Sequence, residues 1–475
     1  MEPFSYLFPF EKIPKGSRIV IYGAGVVGQA YLSQMRMTQY CDVVALADQH
    51  HDAYRDFDVP VIAPSEIHAQ TFDYVVIALR IKNHLKEFFD VLHKQQIPDE
   101  KIVYIGERAV PPVLTVAEND ESDADCQHAR KKEHGMLVCF YGGFGDFVIN
   151  KKFLETFVEL DSKLHIDIFC VKGVDFLQFL YSDMEQVGKI QLNLGTRYAQ
   201  QMHRYAAALT FYGDIQLQVD FLRETSGISE KLQDVLRRLQ QVSDEEQQSF
   251  QMPAYTMLYR SIFRGEGCYQ RMSYGGIIPI KNHSVHIPED AGAREEFQKS
   301  GAGAYITVNF GNGNARDAAF VAKAWPFRNF ERLTELFRAT YPNVEVVQIG
   351  PEDARRITGA NHDALGARWE MVAQFLGHSL LHIDIEGGLV HLATQLGTKC
   401  LVLFGPTQME YYAYPENINL HAGNCHNCYG LYADINQCAR GLAEPECMVS
   451  ITPEMVMEAA QKYLAGIEKS AKSDG

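Results

Sequence analysis

The stretch His382 to Thr407, HIDIEGGLVHLATQLGTKCLVLFGPT, limits the fold more than any other part of the chain. Leu380 to Asp384 is short, apolar and flanked by turn residues, which predicts a buried strand. Gly387-Gly388 breaks that pattern, Leu389 to Leu396 returns at helical spacing, and Gly397 stops the helix. Cys400 to Phe404 is the next strand, closed by Gly405-Pro406. Strand, glycine turn, helix and strand in that order put an open helix N-terminus at the carboxyl end of a parallel strand. Orphan backbone N–H groups and the helix dipole there attract an anion, most often a phosphate. Bare Cα atoms at Gly387 and Gly388 would let a ligand reach the backbone. The same glycine pair also suits a tight strand-to-helix turn that binds nothing, and taken alone it does not choose.

A related unit opens the chain. Arg18 to Tyr22 is a predicted strand, followed by Gly23-Ala-Gly25-Val-Val-Gly28, a helix from Gln29, and a strand Val43 to Ala47 ending at Asp48. A further strand, Tyr74 to Leu79, follows. This is the dinucleotide-binding order, with Gly23, Gly25 and Gly28 placed for phosphate and Asp48 for ribose. A bound nucleotide or NAD(P) and a purely structural role both stay open, because no hydride-transfer residue is evident downstream.

Residues 113 to 134 run acidic then basic with weak periodicity and are the expected linker. A strand from Gly135 then leads into Gly142-Gly-Phe-Gly145-Asp146. Glycines let this loop pass close to a substrate, and a carboxylate beside it can take a proton from an attacking hydroxyl. Asp146 can equally cap a helix beginning near Phe147. The middle of the chain, Lys172 to Val285, mixes helical and strand-like patterns and names no acceptor.

The second half opens on a strand, Ala304 to Phe310, ending near Asn309. Lys323-Ala-Trp325-Pro326 then introduces a helix with Asn329 as its expected cap and Phe330, Leu333 and Phe337 on its buried face. Val344 to Ile349 is a strand followed by Glu352 and Asp353, either of which can bond ribose hydroxyls from a strand end.

Glu386-Gly-Gly-Leu-Val-His391, Leu396-Gly397 and Leu-Phe-Gly-Pro-Thr407 resemble the signature of glycosyltransferase family 9, the ADP-heptose heptosyltransferases. The likeness can be followed over Leu137 to Leu464, with two departures: Glu386 stands where that family has Asp, and Gly388 where it has proline. It implies an α/β protein of GT-B type, two facing Rossmann-like domains behind the N-terminal Rossmann-like module. The expected boundaries are 1–112, linker 113–134, an acceptor domain 135–300 and a donor domain 301–475. The family's Gly-x-Gly-Asp implies Asp146 as the base at the interdomain cleft, and its Lys-x-Trp-Pro implies Lys323 on the donor phosphates. Asn309, Glu352, Glu386, Gly387, Gly388 and His391 are the remaining implied donor contacts, with His391 in a supporting role. Transfer would invert the anomeric centre and need no catalytic metal. The implied donor is a nucleotide-diphospho-sugar such as ADP-heptose, and the acceptor a glycan or a protein hydroxyl. Two other classes stay open: a nucleotide-sugar sensor without turnover, and an oxidoreductase using the N-terminal module.

Bulk composition is compatible with this. The 475 residues suffice for two to four domains. A net charge of −16, with no basic cluster to outweigh it, argues against nucleic acid as a partner. The N-terminus lacks a signal-peptide layout and no apolar run approaches bilayer length, so the cytoplasm is the expected compartment. A homo-oligomer is compatible with all of this. Six of the ten cysteines are scattered, but Cys425, Cys428, Cys438 and Cys447 fall within 23 residues. Four thiolates beginning with CxxC suit structural zinc or iron; two disulfides or free thiols are the alternatives. The resemblance adds that bacterial autotransporter heptosyltransferases carry an iron centre associated with such cysteines.

Overall fold

The computed structural model describes residues 6–54, 57–79, 84–105, 132–193, 197–213, 215–224, 227–248, 261–310, 322–423, 425, 427–429, 438 and 440–473. Most of the expected linker and the Gly311–Asn314 stretch lie outside the described residues. The chain forms two compact units. One comprises residues 1–115, 244–266 and 430–434, and the other the rest.

The first unit holds a fully parallel sheet of β1 (Arg18–Tyr22), β2 (Asp42–Ala47), β3 (Val61–Ile62), β4 (Tyr74–Ile77) and β5 (Ile102–Val103), in the order β3-β2-β1-β4-β5. Val20, Tyr22, Val75, Ile77 and Leu92 form its core, which continuous apolar strands require when both faces are covered. Residues 261–266 return to this unit: the Phe263 ring stacks on Tyr40 at 4.3 Å, and Lys15 Nζ donates to the Phe263 carbonyl at 2.9 Å.

The second unit holds two sheets. In the first, β6 (Lys132–Phe140), β7 (His165–Cys170), β8 (Val187–Leu192), β9 (Tyr205–Tyr212) and β10 (Gln216–Leu222) take the order β10-β9-β6-β7-β8, with β10 antiparallel. In the second, β11 (Tyr305–Asn309), β12 (Glu345–Gly350), β13 (His362–Leu365), β14 (His382–Ile385), β15 (Cys400–Leu403) and β16 (Ile418–Leu420) run parallel in the order β13-β12-β11-β14-β15-β16. The expected α/β class is therefore what the molecule has, in three Rossmann-like sheets. Strand order reverses between β6 and β9 in one sheet and between β11 and β14 in the other. Such switch points open a crevice at the strands' carboxyl ends.

Local departures from the expected elements have physical causes. The helix after Trp325 spans Phe327–Thr340 with Pro326 at its N-cap, so Asn329 sits in the first turn and does not cap it. Proline ends the preceding chain and its fixed φ suits the helix start. The last helix runs Pro453–Ser473; Thr452 caps it, its Oγ1 accepting from the Met455 N–H at 3.2 Å. Both helices bury one face on the third sheet through Phe330, Leu333, Phe337, Val456 and Ala460. Trp325 is pinned there by its indole N–H, which donates to the Ile451 carbonyl at 2.8 Å. Among the described residues, no helix is long and apolar enough to cross a membrane.

Candidate active site

At the switch point of the second sheet, β6 runs into Gly142 and Gly143, and the helix Phe144–Leu160 starts at once. Gly142 has φ +107°, and a Cβ there would fall 2.5 Å from Asp146 Oδ2, so this position needs glycine twice over. The Asp146 carboxylate folds back and accepts the Gly143 N–H at 2.7 Å. The helix thus starts three residues earlier than the capping reading assumes: Gly143 is the N-cap, and Asp146 reaches back to it from inside the first turn. Its other oxygen lies against Gly213, where a Cβ would be 3.6 Å away, so the carboxylate stands between the ends of β6 and β9.

At the switch point of the third sheet, Asn309 ends β11 and Glu386 follows β14. Asn309 donates to Asp384 at 2.9 Å. Asp384 is fully buried, and its carboxyl is pushed above its ordinary value by burial, with His382 and Asn309 opposing. Glu386 is only 9% exposed, yet ionised: burial works to raise its carboxyl, but Lys323, then His391 and Thr407, hold it below the usual value. Lys323 Nζ lies 2.7 Å from Glu386 Oε2. Glu352 lies exposed beyond the end of β12, where it crowds Gly366.

The two glycines of the helix start Gly388–Gln395 do different things. A Cβ at Gly388 would be 3.0 Å from Phe144 Cβ and 3.1 Å from the Gly145 nitrogen, so its bareness admits the facing helix. At Gly387 a Cβ would meet only the Ile385 carbonyl, at 3.7 Å. Open space beside the backbone is therefore a property of Gly387 rather than of the pair. His391 seals the junction. Its Nδ1 sits 2.9 Å from the Tyr414 hydroxyl, and a Cβ at Gly145 would fall 2.4 Å from its Cδ2. Thus the N-terminal ends of two helices, one from each sheet of this unit, touch through Gly145, Gly388 and His391. Nearby, Trp369 packs on Phe144 and Phe176 at 4.9 and 4.5 Å and donates to Asp175 at 2.9 Å.

Two consequences are measurable. Gly145→Ala forces a Cβ into the buried imidazole and should cost about 1–3 kcal/mol, seen as a lower melting temperature. Burial, assisted by Lys323 and opposed by Glu386, pushes the His391 imidazole down to about 4. The unfolded chain binds this proton below about pH 6.5 and the folded chain only near 4. Stability should fall as pH drops through that window, by roughly 3 kcal/mol in all, and level off below it. Urea titrations of the wild type and His391→Gln between pH 4 and 7 should differ by that slope.

In the first unit, Gly23 has φ +117° and a Cβ there would lie 2.5 Å from the Ala78 carbonyl. Gly28 faces the Gly23 carbonyl at 1.8 Å from a would-be Cβ, while Gly25 opens on nothing within 4 Å. Asp48 Oδ2 accepts the Ala24 N–H at 2.8 Å and Oδ1 accepts that of His50 at 2.9 Å. Asp48 is thus a clamp on the glycine loop.

The four late cysteines are free of disulfides. Burial pushes the Cys447 thiol up to about 12, and the nearby Cys425, Cys428 and Cys438 add to this. Soft thiol donors suit iron or zinc. Among the described residues, however, no group of three or more His, Cys, Asp or Glu is arranged to hold a metal ion, so the expected set is gathered but not assembled. Around Glu386, Lys323 and His391 stand four further residues that the sequence does not assign. Thr407 bonds Glu386, and the Gly-Pro-Thr turn closing β15 is its signal. The Tyr414 and Tyr269 hydroxyls lie 2.9 and 3.5 Å from His391 Nδ1, and the Tyr429 ring centroid is 4.3 Å from Lys323 Nζ.

Residues 15–103 match the family described as C2185-like, N-terminal. Comparison with curated proteins gives no match. Among solved structures the chain is similar to the E. coli ADP-heptose lipopolysaccharide heptosyltransferase II, with 13% identity, 70% of this chain and 99% of that one covered, and a TM-score of 0.45. A glycosyl transferase family 9 protein of Veillonella parvula gives 14%, 71%, 99% and 0.45. The iron-containing dodecameric glycosyltransferase TibC of enterotoxigenic E. coli gives 16%, 72%, 81% and 0.44.

Proposed function

We propose that the chain is an inverting glycosyltransferase, moving a sugar from a nucleotide-diphosphate donor to a hydroxyl of a glycan or protein. Heptose carried by ADP is the donor the sequence resemblance names. One observation carries the reading: the loop bearing Asp146 and the helix start after Glu386 meet at Gly145 and Gly388, each at its sheet's switch point. In this reading Asp146 takes the proton of the acceptor hydroxyl, whose oxygen bonds to the anomeric carbon. The bond from that carbon to the diphosphate oxygen breaks with its electron pair. Lys323 and the N–H groups at Gly387 and Gly388 receive the charge that builds on the leaving diphosphate. Asn309 and Glu352, at neighbouring strand ends, flank the nucleoside. The four cysteines have no part in this chemistry, and the N-terminal module is a nucleotide-type scaffold.

The purified chain should be incubated with ADP-heptose and other nucleotide sugars plus glycan and protein acceptors. Intact-mass analysis should show one sugar gained per acceptor, and NMR an inverted anomeric configuration. Binding without transfer or donor hydrolysis would reduce the chain to a sensor. A change in NAD(P)H absorbance with substrate oxidation would move the activity to the first unit.

A further inference from the structure

We propose that Tyr429 is a further positioning residue of the donor site, holding the Lys323 ammonium in place for the diphosphate. This rests on reading Lys323 as the diphosphate-binding cation. The ammonium lies 4.3 Å from the centroid of the Tyr429 ring and 2.7 Å from Glu386 Oε2. An aromatic face attracts a cation through its quadrupole without adding net charge. Glu386 must give up the ammonium, at least in part, when a diphosphate arrives. Tyr429 need not, so it keeps the cation at the strand end while the anionic partner changes.

The ring's position is set by backbone stitching. The Tyr429 N–H donates to the Pro406 carbonyl at 2.8 Å, and Gln408 Nε2 donates to the Tyr429 carbonyl at 2.9 Å. Gln408 Nε2 also lies 3.4 Å from the Asn427 carbonyl, and Asn427 turns the chain with φ +61°. The same 405–408 segment carries Thr407, whose hydroxyl bonds Glu386. Both neighbours of the ammonium, acid and ring, are thereby tied to one short loop. The cysteine-bearing segment that ends in Cys428-Tyr429 gains a task here that depends on no metal: it delivers the ring.

The test is calorimetric titration of ADP into the full chain and into Tyr429→Phe and Tyr429→Leu. Phenylalanines of increasing ring fluorination, incorporated at 429, complete the series. Tyr429→Phe should bind within about 2-fold of wild type and Tyr429→Leu about 3- to 30-fold more weakly, with affinity falling stepwise as fluorines are added. Equal binding by the Phe and Leu variants, or a flat fluorine series, overturns the proposal. A packing role would not follow ring electronics at constant shape. The geometry has its own readout without ligand, in ¹³C-methylated lysine NMR spectra with the Lys323 signal assigned by its loss in Lys323→Arg. That signal should be ring-current shifted in wild type and Tyr429→Phe and unshifted in Tyr429→Leu; an unshifted wild-type signal overturns the placement. If wild type binds no ADP while the shift is present, the donor reading fails and the ring–ammonium contact stands.

Discussion

Asp146→Asn should leave the protein folded and donor-competent while lowering turnover by about 10²–10⁴-fold, the range of a lost general base. The choice of asparagine follows from the double duty of this side chain. Asp146 Oδ2 accepts the Gly143 N–H at 2.7 Å, so its removal also unties the start of the helix Phe144–Leu160. An amide oxygen can accept the same hydrogen bond but cannot take a proton from a hydroxyl at neutral pH. Asp146→Ala should lose the same activity and, in addition, about 1 kcal/mol of stability from the cap. The pair separates the two roles: melting temperatures should rank wild type and Asn together above Ala, while initial rates should rank wild type far above both. Near-wild-type transfer by Asp146→Asn would leave this residue a cap and nothing more. The base would then have to be sought elsewhere on the loop ends of β6 and β9.

How much of this was readable in the chain depends on the distance over which each feature is determined. Gly387-Gly388 and the flanking apolar runs announced their strand, turn and helix, because those are local choices of backbone conformation. The glycine loop at 23–28 was legible on the same ground. Asp146 carries two readings that local residues do not separate; the helix starts at Phe144 rather than near Phe147, so the carboxylate ties Gly143 from inside the first turn while standing at the strand ends. The reason Gly388 lacks a side chain was hidden: it lies in Phe144 and Gly145, more than 200 residues away. Thr407 and Tyr429 escape for the same cause, since each meets Glu386 or Lys323 only through the folded chain. Asn329 does not cap its helix because Pro326, three residues earlier, supplies a stronger local start signal. Cysteine spacing announced a gathered cluster, but spacing does not fix the angles a metal demands.

Lys323→Met should abolish detectable binding of a nucleoside diphosphate and also destabilise the fold by roughly 3 kcal/mol. The stability loss follows from what the substitution leaves behind. Glu386 is buried and kept ionised mainly by this ammonium, 2.7 Å away. Removing one member of a mostly buried ion pair strands the other charge, and the cost is the desolvation that the partner had offset. The pH dependence should change sign, which marks the cause. In wild type the Glu386 carboxyl is held below its ordinary value, so it contributes stability that is present above the unfolded value and lost as pH falls through the lower folded value. Without Lys323, burial dominates and the carboxyl rises above its unfolded value. The variant then takes up a proton on folding, and its stability deficit should shrink as the medium is acidified. Lys323→Met/Glu386→Leu removes both charges and should recover most of the stability, as paired apolar replacements of buried ion pairs do. It should recover none of the diphosphate binding. Urea denaturation of the three proteins across pH 4 to 8, with calorimetric titration of ADP at neutral pH, checks both halves. Recovery of ADP binding in the double variant would mean that Lys323 serves only to neutralise Glu386, and the leaving diphosphate would have to be held by the helix N–H groups alone.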